Sequence, residues 1–118
     1  MGLFDKKKAD VSDSVYATVT TNEIINEMVG TGQLKAVYLM PLIFNGQASE
    51  KNTIYVPPFV FDIKEKSDIM IEELLMKNIV NNYVCTPTYV GDSKVPVRLE
   101  IVGKKSGNVV ITQNVNIW

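Results

Sequence analysis

Histidine is absent from this chain of 118 residues, and cysteine occurs only once. The first absence removes the side chain that titrates nearest neutral pH. With it go the usual general base, the commonest transition-metal ligand and every Ser-His or Cys-His nucleophile pair. The second rules out an internal disulfide, so the lone Cys85 fits a reducing, cytoplasmic location and reads as a buried structural thiol. Long apolar runs are also missing. Nothing approaches the roughly 20 consecutive apolar residues of a membrane span. Near the start, only Leu3 and Phe4 precede Asp5 and three lysines, which is not the apolar core of a signal peptide, and Lys6 stands where a myristoylation signal wants Ser or Thr. A soluble protein with no membrane association is expected.

Neither sign of charge is in excess. Thirteen acidic and twelve basic side chains leave a formal charge of -1, so no overall positive field draws the chain to nucleic acid, which is an unlikely partner. The clusters Lys6-Lys7-Lys8 and Lys104-Lys105 read as a solvated tail and a loop. Gly30-Thr31-Gly32 lacks the third glycine of a dinucleotide fingerprint, and Gly103 to Gly107 reads as a hairpin turn with no helix after it to make a phosphate loop. Glu72-Glu73 and the pair Asp10 and Asp13 have no metal-motif spacing. The sequence therefore assigns no catalytic residue, no metal ligand and no cofactor, and it argues against an enzyme.

What is present suits one domain. Apolar residues make up 46% of the chain and charged residues 21%, no linker or low-complexity tract divides it, and its length matches a single core. Residues 1–118 are read as one α+β domain, with 1–12 a flexible or docking segment. Ser14 to Val19 has the β-branched alternation of a strand. Thr20 and Glu23 have capping-box spacing for a short helix ending at Gly30. The almost wholly apolar stretch Leu34 to Phe44 reads as a central strand covered on both faces. Asn45-Gly46 then turns the chain, and Thr53 to Ile63 returns as its hairpin partner. Ser67 caps a second helix from Asp68 to about Asn82. Tyr83 to Val90, Lys94 to Val102 and Asn108 to Ile117 complete a meander, with turns at Gly91-Asp92 and Gly103 to Gly107. The expected order is β-α-β-β-α-β-β-β, a mainly antiparallel sheet with two helices packed on it.

Two patterns point to surfaces. On the second helix Ile71, Leu74, Leu75 and Ile79 form one apolar stripe, and Ile69, Met76, Val80 and Tyr83 form another that a single sheet cannot also cover. Trp118 follows a strand and needs a partner for its area and its N–H. Ile69, Met76, Val80, Tyr83 and Trp118 are therefore the candidate interaction residues of a non-catalytic interaction or regulatory module. Its active surface is a helix face, a sheet edge or both, and its partner a second copy in a homodimer or another protein. The prolines support an alternative. With Pro87 opposite Pro96, and Pro41 opposite Val56-Pro57, the sheet splays into a cleft lined by Tyr38, Tyr55, Tyr83 and Tyr89. Lys35, Lys94, Arg98 and Glu100 would be the polar handles of this small-molecule site.

Overall fold

The computed structural model describes residues 15–118; the flexible or docking segment expected over 1–12 lies outside them. The chain is α+β and antiparallel, as expected, but its strands form two sheets of two and three strands. No helix among the described residues is long and apolar enough to cross a membrane.

The expected first strand is a helical turn instead, over 15–17. Its backbone bonds are local, Thr18 N–H to Val15 O at 3.4 Å and Val19 N–H to Tyr16 O at 3.1 Å. These local bonds, with Val19 buried in the core, override the β-propensity of the segment. Helix α1 then runs Asn22–Gly30, capped by Thr21, whose hydroxyl oxygen accepts from Ile24 N–H at 3.2 Å. The cap is one residue later than the spacing of Thr20 and Glu23 suggests.

Strand β1 (Lys35–Tyr38) pairs with β2 (Thr53–Val56), and both are four residues long. The stretch Leu34 to Phe44 is thus not a covered central strand: β1 is mostly exposed, and the chain leaves it for a single 3-10 turn, Leu42–Phe44. Asn52 imposes that exit. Its carboxamide accepts from Met40 N–H at 2.8 Å and donates to Met40 O and Gln47 O at 2.8 and 2.9 Å, replacing the ladder bonds a longer strand would make. Asn45 closes the turn with φ 70, and Gly46 follows where a Cβ would run into the backbone carbonyl of Met40.

Helix α2 occupies Pro58–Met76, starting ten residues before the expected Asp68. Pro57-Pro58 explains the difference. Pro57, extended at φ -60 and ψ 153, ends β2, and Pro58 sits in the first turn, where a missing N–H costs nothing. Asn78 in the left-handed region stops the helix, with Ile79 N–H returning to Leu74 O at 2.9 Å. Ser67 is therefore not a cap; it is buried in mid-helix.

Strands β3 (Asn82–Thr88), β4 (Arg98–Lys105) and β5 (Asn108–Asn116) form the meander, in the order β3-β4-β5. The β4 to β5 connection is a tight turn at Ser106 and Gly107, both at positive φ. The β3 to β4 register pairs Pro87 with Leu99, not with Pro96, so the connection is a long loop over 89–97. That loop is held by the start of the described chain: Ser93 Oγ donates to Tyr16 O at 2.7 Å, and Lys94 N–H to Val19 O at 2.7 Å. In the other sheet Lys35, not Pro41, lies opposite Val56. The two expected proline pairings do not form. One cluster of buried side chains, including Val19, Ile25, Val56, Ile71, Leu99 and Ile117, links both helices to both sheets.

Candidate interaction site

Two faces of helix α2 meet the meander, one buried against it and one turned toward β5. Its buried face carries Val60, Lys64, Ser67 and Ile71, at successive intervals of four, three and four residues. Two of these are polar, and each finds a partner on the meander. Ser67 donates to the side-chain oxygen of Gln113 on β5. Lys64 is 0% exposed; its ammonium donates to Asp68 Oδ2 at 2.7 Å and to Tyr83 Oη at 3.1 Å. Tyr83 Oη in turn donates to Asp68 Oδ1 at 2.5 Å, which closes a triangle of three groups. Phe44 stacks on the Tyr83 ring at 5.2 Å between centroids.

This cluster is closed rather than poised for reaction. Among the described residues no buried side-chain polar atom lacks a hydrogen-bond partner. Burial, and then the Asp68 carboxylate, push the Tyr83 hydroxyl well above its ordinary pKa. Burial likewise pushes the nearby Cys85 thiol up to about 11, with the Lys64 ammonium working against it. At neutral pH both groups stay protonated, so the triangle locks α2 to β3 and offers no free base or thiolate.

The face of α2 toward β5 is different. Ile63, Lys66, Ser67 and Met70, with Gln113 of β5, line a groove of about 310 Å³. Beside it runs β5, an outer strand of the meander. The hydrogen bond from Ile117 N–H to Val97 O fixes which backbone groups are committed. In an antiparallel ladder the bonding direction alternates, so Ile111, Gln113 and Val115 bond inward to β4. Thr112, Asn114 and Asn116 then direct their N–H and C=O groups outward, where no described residue of the chain meets them. No charged side chain and no proline occurs between Ser106 and Trp118, and Val109 is 60% exposed at one end of the edge. Edges of this kind usually carry lysine, proline or a covering loop.

The expected interaction residues are dispersed. Ile69 and Met76 are exposed on α2, Met76 at 81%. Val80 and Tyr83 are each 0% exposed and lie beyond the helix, Val80 in the connection to β3 and Tyr83 on β3 itself, so neither can present a surface. Their stripe disappears because Asn78 ends the helix before either residue. Trp118 is half-buried; its Nε1–H donates to Val95 O at 3.0 Å, and its ring lies 6.5 Å from that of Tyr16.

Of the four tyrosines expected around one cleft, two share one. Tyr55 and Tyr89 line an open cleft of about 580 Å³ together with Asn22, Glu50, Asp92 and Lys94. Tyr38 lines a separate groove, and Tyr83 is in the core. Of the four polar handles only Lys94 reaches the cleft; Arg98 and Glu100 sit on β4, 3.9 Å apart, and Lys35 lies over the Phe61 ring.

Sequence reasoning did not single out Lys64, Met70 or Thr112. A Lys64–Asp68 pair has the four-residue helical spacing, a signal hidden by reading Thr53 to Ile63 as a strand. The sequence after Ser106 shows a strand without charge or proline, but not which of its sides is left unpaired. Comparison with known proteins adds nothing to this geometry: no family model, no curated protein and no solved structure matches the chain.

Proposed function

We propose that this is a non-catalytic interaction module that receives an extended protein segment along the open edge of β5, beside the groove under α2. The observation that carries this reading is the outward row of backbone groups at Thr112, Asn114 and Asn116 on a strand without charge or proline. An added strand would supply the missing hydrogen bonds, and its alternate side chains would reach Ile63 and Met70. The buried, protonated Cys85 is consistent with work in a reducing compartment, and we place the protein in the cytoplasm on that ground.

The test is co-purification from the native host with the wild-type chain and with Met70→Glu. Discrete protein partners, or a second copy of the chain, recovered with the first and lost with the second support the module. An identical set from both chains, or nothing from either, sinks it.

A second reading rests on the cleft lined by Tyr55, Tyr89 and Lys94, whose size suits a small polar ligand. A metabolite fraction that raises the melting temperature of the wild type but not of Tyr89→Ala would favour that reading; equal shifts would remove it.

A further inference from the structure

We infer that the segment received by the β5 edge is β5 of a second copy, so that two three-stranded meanders join about a two-fold axis into one continuous antiparallel sheet. The inference rests on the interaction reading above and names its partner.

Three properties of the edge select a second copy. An outer antiparallel strand is self-complementary under a two-fold axis, because each outward residue offers one donor and one acceptor and requires the same in return. Thr112, Asn114 and Asn116 form such a row, over a strand of nine residues. Next, β5 brings no charge of its own to the seam, and the Arg98 guanidinium that donates to Asn114 Oδ1 at 2.8 Å lies 3.9 Å from the Glu100 carboxylate, which offsets it. With no charged side chain from Ser106 to Trp118, two identical edges approach without the repulsion that normally keeps them apart. Third, the helix geometry accommodates the arrangement. Ser67 on α2 bonds Gln113 on β5, while Ile71 and β4 Gly103 lie within contact distance, so α2 lies over β4 and β5. Strands are spaced about 4.8 Å apart, so a helix midway between β4 and β5 would stand about 9.6 Å from its two-fold mate. That is within ordinary helix-packing distance. Met70 and Ile63, which line the open groove in the single chain, would then meet their counterparts across the axis. Lys66 is the only charged side chain on that lining, and its flexible stem lets the ammonium reach water while the methylenes cover apolar surface.

The experiment is sedimentation equilibrium of the full chain, with two variants. Thr112→Pro deletes an outward N–H without removing a ladder bond to β4, and Met70→Glu puts a charge into the groove. The expected result is a wild-type dimer and a dissociation constant raised about tenfold or more in each variant, with unchanged far-UV circular dichroism. Met70 is partly exposed, so its variant keeps the test decisive if Thr112→Pro does not fold. A wild-type dimer unaffected by Met70→Glu and by a folded Thr112→Pro overturns the inference. So does a wild-type chain that stays monomeric at high micromolar concentration. If such a monomer still recovers a Met70-dependent partner from the host, the second copy is excluded while the interaction reading stands.

Discussion

At the scale of single residues, Lys64 stands apart as the one buried charged side chain among the described residues. An ammonium with no solvent access is tolerated because it donates to Asp68 Oδ2 and to the hydroxyl of Tyr83, which in turn donates to Asp68 Oδ1. Removing its counter-ion leaves the charge buried and uncompensated, so Asp68→Ala should destabilise the fold by about 3–5 kcal/mol, read as a fall in the urea midpoint. Lys64→Met added to that variant should recover part of the loss, since the two residues act as a pair. Cys85 and Tyr83 make stability fall at alkaline pH. The folded chain holds the Cys85 proton to about 11 against an ordinary value of 9.0. The unfolded chain releases it first, so stability is intact below pH 9 and declines as pH rises toward 11. Tyr83, raised further, adds to the decline above pH 10, its ordinary value. Each group contributes about 1.4 kcal/mol per pH unit within its window. Urea titrations from pH 8 to 11 check this, and Cys85→Ala should remove the portion that begins near pH 9.

At the scale of elements, α2 shows why part of the sequence was opaque. A helix is recognised by a continuous apolar stripe, but the buried face of α2 is interrupted by Lys64 and Ser67. Its apolar residues Phe59, Val60, Phe61 and Ile63 also have strand propensity, so local composition favoured the wrong element. Pro57-Pro58 and the four-residue spacing of Lys64 and Asp68 carried the correct signal. Strands β3 and β5 and the turn at Ser106-Gly107 were legible because alternation and turn residues agree there. Close packing between α2 and the meander gives a test of their fit. A Cβ at Gly103 would lie 3.0 Å from Ile111 Cγ2, 3.3 Å from Val80 Cγ2 and 3.5 Å from Ile71 Cγ2. Gly103→Ala should therefore cost about 1–3 kcal/mol by overpacking, whereas Gly30→Ala, with nothing within 4 Å, should cost no more than a few tenths. Chemical denaturation of the two variants distinguishes them.

At the scale of the whole molecule, the start and end of the described chain meet on one loop. Tyr16 O and Val19 O accept from Ser93 and Lys94, and Trp118 bonds Val95 O. The single tryptophan should therefore report the global transition: its emission and the far-UV circular dichroism should change together on unfolding. Trp118→Phe, which keeps an aromatic ring but deletes the donor and part of the packed area, should lower stability by about 1–2 kcal/mol. Separate transitions would mean that this closure is an independent unit. The sequence by itself determined the α+β class, the meander and the lack of histidine chemistry, because these depend on composition and on periodicity within a segment. Tertiary structure alone decided that Lys64 is buried, that Tyr83 is core and that β5 is an outer strand with no partner on its far side among the described residues. Each is a relation between segments far apart in sequence, and a residue's burial or a strand's free side exists only once its neighbours are in place.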